Sequence, residues 1–137
     1  GGGRGGGAQG GWKGGGACAR EINVAEKCAK FRGHWNRRVM ASVTGQDVKL
    51  VKFQGPFPWH HDVDEDELFL GVRGRFTMEF RERSVQLEEG EMIVVPRGIE
   101  HRPYAEEEVE VLLFEPRGTI NTGNVREERT RAELERI

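Results

Sequence analysis

Residues 55–74 read GPFPWHHDVDEDELFLGVRG, and residues 90–101 read GEMIVVPRGIEH. In both stretches, turn-forming Gly and Pro alternate with short runs of Val, Leu, Ile and Phe, a pattern typical of strands joined by tight turns. The same two stretches hold three of the four histidines of the chain. We therefore expect these two stretches to contain both the strands and turns that define the fold and the residues that carry the chemistry.

The sequence around these stretches continues the strand pattern. Phe76, Met78 and Phe80 alternate with polar residues, which places the three side chains on one face of a strand. Turn formers recur at short intervals, at TGQD (44–47), QGPFP (54–58), VRG (72–74), EEGE (88–91) and PRG (96–98). No long helical pattern separates the strands, so the sequence predicts an all-β antiparallel barrel or sandwich rather than a parallel α/β sheet. The acidic run Glu106–Glu108 is interpreted as a solvated turn between strands.

A chain of 137 residues is sufficient for one domain. Residues 1–16 are mostly glycine and have almost nothing to bury, so they are predicted to be a disordered tail. Residues 17–37 form a predicted N-terminal arm, in which the apolar spacing of residues 22–31 favours a short helix. Residues 116–137 form a C-terminal extension, predicted to be either a surface helix or a frayed end.

Composition limits the partners that we expect. With 21 Lys and Arg against 23 Asp and Glu, the formal charge is −2 and no basic stripe is present, so we expect no nucleic acid partner. No apolar run approaches the roughly 20 residues that span a bilayer. We therefore expect no membrane association and a cytoplasmic location. Residues 68–72 and 92–95 are apolar on both strand faces, which predicts cover by the N-terminal segment or by a second subunit in a homodimer.

Four side chains capable of binding metal are candidates for one site. If residues 59–62 form a strand, His60 and Asp62 share a face, and His61 points away from it. Glu67 follows the acidic turn, and His101 follows a Pro–Gly turn. This donor set of two imidazoles and two carboxylates lacks a thiolate, so it favours one divalent ion such as Fe(II), Mn(II), Zn(II) or Ni(II). If Asp62 does not reach the ion, a triad of two histidines and one carboxylate remains.

These spacings resemble the two signature motifs of the cupin superfamily. The first motif reads G-x5-H-x-H-x3-4-E-x6-G, and His60, Glu67 and Gly74 match its first His, its Glu and its closing Gly. The second motif, G-x5-P-x-G-x2-H-x3-N, is matched at its first four fixed positions, by Gly90, Pro96, Gly98 and His101. The resemblance implies a single jelly-roll barrel over residues 38–115. It is strongest to the small one-barrel cupins labelled mannose-6-phosphate isomerase-like.

The sequence departs from the cupin pattern at three positions. Asp62 stands where the second His of the first motif is expected, which exchanges an imidazole nitrogen for a carboxylate oxygen. Ala105 replaces the last Asn of the second motif, and Gly55 lies one residue closer to His60 than the pattern asks. The departure at Asp62 bears on the chemistry, because it makes the predicted site harder and better suited to Mn(II) or Fe(II) than to copper.

The resemblance implies a small metal-binding cupin that acts as a metal-dependent oxygenase or isomerase on a small polar molecule. The alternative is a non-catalytic cupin that binds a small ligand or serves as a sensor, because fold does not fix function. No catalytic residue beyond the ligands is assigned. Gly71 shares a face with Glu67 and marks either extra room beside the metal or a strand bulge.

Overall fold

The structure is a computed structural model that describes residues 19–118, residue 123 and residues 134–137. Its one helix, α1, spans Val24–Cys28. The strands are β1 Arg38–Val43, β2 Gln46–Pro56, β3 Glu67–Arg73, β4 Phe76–Phe80, β5 Ser84–Leu87, β6 Met92–Val95, β7 His101–Pro116 and β8 Glu135–Arg136. Within these residues no helix is long and apolar enough to cross a membrane.

Two long strands, β2 and β7, organise the sheet. They pair antiparallel from Gln46 opposite Pro116 to Pro56 opposite Tyr104. The first residues of β7 also pair with β4, and its last residues pair with β3. β2 changes register between Phe53 and Gly55, where glycine adopts a φ of 81° that side-chain-bearing residues avoid. The strands thus divide into two layers that share β2 and β7, which confirms the predicted all-β jelly-roll fold.

The barrel is open in the described part of the chain. The strand path runs β5-β4-β7-β2-β1-β8, and β3 adds β6 beside β7. The interior is filled by inward-facing residues of both layers, among them Phe53, Phe69, Phe76, Met78, Val109 and Leu113. Alternation along each strand places these side chains inside, as predicted for β4.

The N-terminal arm packs on the outside of the sheet. The side chain of Asn23 caps α1 by accepting a hydrogen bond from the Glu26 backbone N–H at 3.0 Å. Cys28 and Phe31 then bury themselves with Met40 and Leu50 in a second apolar cluster. The arm therefore covers part of the outer face of β1 and β2, whereas the sequence predicted a cover over residues 68–72 and 92–95, which are not members of this cluster.

Another part of the outer sheet face stays exposed. Met92 and Val94 of β6 are each more than half exposed, next to Leu70 and Leu68 of β3, respectively. Such neighbouring apolar side chains on a sheet face are typical of protein–protein contacts. The homodimer stays a prediction.

The structure corrects three details of the sequence interpretation. Glu135–Arg136, in the C-terminal extension that was predicted to be either a surface helix or a frayed end, form a strand parallel to β1. Glu106–Glu108 do not form a turn but lie exposed within the continuous strand β7. Residues 59–62 are not a full strand, since His60 makes an isolated bridge. The predicted disordered tail, residues 1–16, lies outside the described residues.

Candidate metal centre

A backbone bridge brings the two predicted histidine ligands together. The His60 N–H donates to the carbonyl of His101 at 3.1 Å, and the His101 N–H donates to the carbonyl of His60 at 2.8 Å. The Gly98 N–H donates to the Asp62 carbonyl at 2.6 Å, which ties the Pro–Gly turn to the same segment. Glu67 enters the site as the first residue of β3.

The four predicted donors converge in the interior. His60, Asp62, Glu67 and His101 are each less than 5% exposed, and each offers one ligand atom within 4.8 Å of the others. The two imidazole centroids are 4.4 Å apart, and His101 Nε2 lies 3.8 Å from Glu67 Oε1. Ligands about 2.1 Å from one ion can be at most about 4.2 Å apart. Shifts of a fraction of an ångström would therefore close the donor set around an ion.

Hydrogen bonds to the backbone orient both imidazoles. His60 Nδ1 lies 2.9 Å from the Pro58 carbonyl, and His101 Nδ1 lies 2.8 Å from the Ile99 carbonyl. A carbonyl can only accept, so each neutral ring must carry its proton on Nδ1 and its lone pair on Nε2. This arrangement is the usual one for histidines that bind metal, because it fixes the tautomer and aims the donor nitrogen.

The atoms that face the centre lack partners. His60 Nε2, His101 Nε2 and Glu67 Oε1 are buried without any hydrogen bond. A buried polar atom left unpaired costs roughly 1–3 kcal/mol, so natural proteins rarely leave several in one place. A divalent cation would use all three lone pairs at once. The residues present therefore fit the metal that the sequence predicts.

Burial sets the protonation of the donors. It lowers the pKa of His60 to about 3, helped by the neighbouring His101, and it also lowers the pKa of His101. Both rings are thus neutral at pH 7, the form that binds metal. Burial raises the pKa of Glu67 to about 7 against the opposing charge of Arg37, and it raises the pKa of Asp62.

Three charged residues beside the donors were not predicted. The Arg37 guanidinium donates from Nη1 to Glu115 Oε1 at 2.7 Å, and Lys49 Nζ donates to the same oxygen at 2.7 Å. Arg37 Nη1 also lies 3.3 Å from Glu67 Oε2 in an ion pair. We call Arg37, Lys49, Glu67 and Glu115 the buried ion network, since none is more than 6% exposed. Burial raises the pKa of Glu115 to about 8, opposed by Arg37.

A signal for part of this network does exist in the sequence. Lys49 alternates with Val51 and Phe53, and Glu115 alternates with Leu113 and Val111. A charged residue in register with a buried apolar row predicts either the end of the buried row or a buried charge. The partner Arg37 precedes β1 and has no such register.

Two arginines near His101 in the sequence, Arg97 and Arg102, and the glycine Gly71 have structural surroundings. Arg97 pairs with Asp66, and Arg102 pairs with Glu79, so each has a surface carboxylate as partner. At Gly71 a Cβ would lie 2.8 Å from the Glu88 carbonyl oxygen, and the register of β3 shifts just after it. Gly71 therefore serves a close backbone approach at a bulge and does not enlarge the metal site.

A small cavity lies beside the centre. Its volume is about 20 Å³, on the scale of a water molecule. Its lining consists of Trp35, Arg37, Val51, Phe53, Phe57, Phe69, Pro103 and Leu113. Phe57 stands edge-on to His60 and Phe69 stands edge-on to His101, so two of the lining rings contact the histidines.

Comparisons with known proteins agree with this architecture. Residues 49–115 match the family model of the cupin domain, Cupin_2. A cupin-2 domain containing protein from Shewanella frigidimarina NCIMB 400 is 42% identical, covering 70% of this chain and 94% of that one, with a TM-score of 0.69. Protein NMB1881 from Neisseria meningitidis is 30% identical, covering 71% and 99%, with a TM-score of 0.66. The chain therefore belongs to the cupin superfamily.

A curated relative is itself uncharacterized. The protein YdbB of Bacillus subtilis strain 168 is 31% identical over 80 residues, which cover 58% of this chain and 65% of that protein. The matched region thus spans less than two thirds of that relative. The likeness to mannose-6-phosphate isomerase-like cupins stays a prediction.

Proposed function

We propose that this protein binds one divalent metal ion through His60, Asp62, Glu67 and His101, and that the ion in turn binds a small polar molecule. The observation that carries the proposal is the convergence of three buried atoms without hydrogen bonds, one each from His60, Glu67 and His101. Neutral imidazoles with oriented Nε2 atoms support it further.

The donor chemistry limits the ion. Two nitrogen and two oxygen donors suit Fe(II), Mn(II), Ni(II) or Zn(II), and no thiolate among them selects a softer ion. Asp62 in place of a histidine adds a second carboxylate, which favours the harder Mn(II) and Fe(II) over copper. An ion held by these four side chains would keep further positions for solvent, substrate or dioxygen.

Open positions support a catalytic role. When bound, the metal would act as a Lewis acid or as an anchor for dioxygen, which corresponds to a metal-dependent isomerase or oxygenase. The protein's own part is to hold the ligands in place and to exclude water from the centre. The apolar rings of Phe57 and Phe69 beside the histidines contribute to that exclusion.

A non-catalytic role as a ligand-binding or sensor cupin is the second candidate. The observation that favours it is a second cavity, of about 150 Å³, whose lining includes the donor Asp62. A pocket of this kind can bind a small ligand without turnover. Metal-dependent oxygen uptake or product formation with small polar metabolites supports catalysis. Ligand-induced thermal stabilisation without turnover supports the second candidate.

Elemental analysis of the purified protein tests the metal site. The parent is expected to carry one ion per chain, and His101→Ala to lose it, since one of the aimed nitrogens is removed. His61→Ala is the matched control, because His61 neighbours His60 but is not among the converging donors. A parent without metal after loading with each of the four ions, or equal retention in His101→Ala, would refute the proposal.

A further inference from the structure

We propose that Arg37 is a positioning residue of the metal centre, which holds one carboxylate oxygen of Glu67 so that only the other oxygen binds the ion. The inference rests on the proposed metal site. It assigns a role to a residue outside the donor set, and it predicts that Glu67 is a ligand through a single oxygen.

The two oxygens of Glu67 have different surroundings, although neither accepts a hydrogen bond. Oε1 faces His101 Nε2 at 3.8 Å, and Oε2 forms an ion pair with Arg37 Nη1 at 3.3 Å. Oε1 is thus directed to the donor set and Oε2 to the guanidinium. Because Glu67 is 1% exposed, solvent offers neither oxygen an alternative partner.

Arg37 is itself held by a hydrogen bond to a second buried carboxylate. Its Nη1 donates to Glu115 Oε1 at 2.7 Å, and that oxygen also accepts from Lys49 Nζ at 2.7 Å. Glu115 and Lys49 are both 1% exposed and project from the paired strands β7 and β2. The guanidinium therefore lies between Glu115, which projects from the paired strands, and Glu67, an arrangement that orients ligand carboxylates in metalloproteins.

The chain before β1 is shaped to bring Arg37 inward. Trp35 has a φ of 65°, which is unusual for a bulky residue and costs of order 1–3 kcal/mol. It is kept there by a 2.8 Å hydrogen bond from its N–H to the Lys52 carbonyl and by stacking on Phe53 at 4.5 Å. Arg38, which follows Arg37, has different contacts: it pairs with Glu135 and lies over the Phe31 ring.

Charge balance explains why a cation is needed at this place. The buried ion network and Asp62 together hold two cations, Arg37 and Lys49, and three carboxylates, a net of −1 when all are ionised. Without Arg37, the carboxylates of Glu67 and Glu115 would share the interior with less compensation. Arg37 thus allows a second buried carboxylate beside the metal ligand while it orients that ligand.

Substitution of Arg37 by Lys tests positioning separately from charge, with Mn(II) alone as the probe. Lysine keeps the positive charge, but its ammonium ends a flexible chain and does not reproduce the fixed position of Arg37 Nη1 between Glu67 and Glu115. We expect Arg37→Lys to bind one Mn(II) per chain with affinity lowered by about tenfold, at the lower end of effects for residues that support ligands. Free Mn(II) is measured by electron paramagnetic resonance during titration of the full chain.

Arg38→Lys is the matched control. Arg38 is also buried and also pairs with a glutamate, but its contacts lie on the outer face of the sheet. Its Mn(II) affinity should stay within about twofold of the parent. Unchanged affinity in Arg37→Lys, or an equal loss in both variants, overturns the positioning role. A parent that binds no Mn(II) overturns the proposed function and this inference with it.

An infrared measurement on the parent tests whether Glu67 binds the ion through one oxygen, and it does not depend on the folding of Arg37→Lys. The separation of the two carboxylate stretching bands is wider for one bound oxygen than for two. A Mn(II)-loaded minus metal-free difference spectrum, with ¹³C-labelled glutamate to separate Glu67 from Asp62, should show the wide separation. A narrow separation on the labelled bands would mean that both oxygens of Glu67 bind, contrary to the proposal.

Discussion

Two regions of the barrel interior are equally buried but differ in how their atoms are satisfied. The apolar cluster around Phe53, Phe76, Met78 and Val109 contains side chains that need only contact. The region of the donor set and the buried ion network contains imidazoles, carboxylates and cations, and leaves several atoms without hydrogen bonds. Burial stabilises the first region through removal of apolar surface and penalises charge in the second. The difference indicates that stability and function occupy separate parts of one interior.

The largest effect on stability should come from the apolar cluster. Phe76 is 1% exposed and meets Phe53 edge to face. Phe76→Ala should lower the free energy of unfolding by about 3–5 kcal/mol, because both transfer energy and packing are lost. Chemical denaturation measures this, with Phe80→Ala, on the same strand but less buried, as a control that costs less. A loss below about 1 kcal/mol would contradict the assigned role of Phe76.

In the polar region, Glu67→Gln should weaken metal binding strongly and change stability only slightly. It removes a charged ligand, so Mn(II) affinity should fall by at least about 100-fold, beyond the range typical of supporting residues. The metal-free protein at pH 8 should lose less than about 1 kcal/mol, because the buried carboxylate is costly to ionise. Calorimetric titration and denaturation measure the two effects. Glu65→Gln, in the same acidic turn, should change neither.

Asp62→His should alter ion preference more than stability. An imidazole in place of the carboxylate should shift competition between Mn(II) and Ni(II) toward Ni(II) by about tenfold, since nitrogen donors suit later transition metals. Competitive loading followed by elemental analysis gives the ratio. Asp64→His, at an exposed neighbouring position, should leave the ratio unchanged. If Asp62→His also leaves it unchanged, Asp62 does not touch the ion.

The two regions should also differ in their response to pH. Burial raises the pKa of Glu67 to about 7 and that of Glu115 to about 8 from 4.5, so the folded metal-free chain holds these protons more tightly than the unfolded chain. Its stability should therefore fall as pH rises through these values. Burial lowers the pKa of His60 and His101, so these residues make stability rise with pH, but only below the ordinary histidine pKa of 6.5.

Denaturation with a chelator from pH 6.5 to about 8.5 tests this loss of stability. Glu115→Gln has no proton to release at that position, so its decline above pH 7 should be smaller. Metal should restore stability increasingly as pH rises, because protons and the ion compete for Glu67. A stability that rises between pH 6.5 and 8 in the metal-free parent would contradict the raised pKa values.

The smallest effect on the fold is expected outside the barrel. Met92→Lys should change the free energy of unfolding of the single chain by less than about 0.5 kcal/mol, since the side chain is mostly exposed. If the apolar patch with Val94 joins two copies, the same substitution should convert a dimer into a monomer. Sedimentation measures the mass, with Arg83→Lys, a conservative change at an exposed position away from the patch, as control. A parent that is monomeric at micromolar concentration would contradict the homodimer.

The donor set was predictable because its signals are local. His60, Asp62 and Glu67 fall within eight consecutive residues, and His101 follows a turn whose Pro and Gly spacing is distinctive. Spacing by two residues predicted that His60 and Asp62 face the same way, and the two side chains do share the site although residues 59–62 are not a full strand. Those rules hold over short distances, and the structure brings all four side chains within reach of a common point.

The buried ion network was not predictable in the same way. Arg37, Lys49 and Glu115 are separated by 12 and 66 residues, and the last pair meets only because β2 and β7 are paired. Trp35 has no local signal for a positive φ, since the hydrogen bond to Lys52 and the ring of Phe53 impose it. Pairing across the sheet and burial are properties of the folded chain.

Residue order alone establishes the strand pattern and the types of side chain that could bind a metal, because period-two alternation and turn chemistry act between near neighbours. The folded chain decides which atoms are left without partners, which oxygen of Glu67 faces Arg37, and which carboxyls hold their protons near neutral pH. These depend on distances between remote segments and on the loss of solvent, which exist only once both layers of the barrel pack around the site.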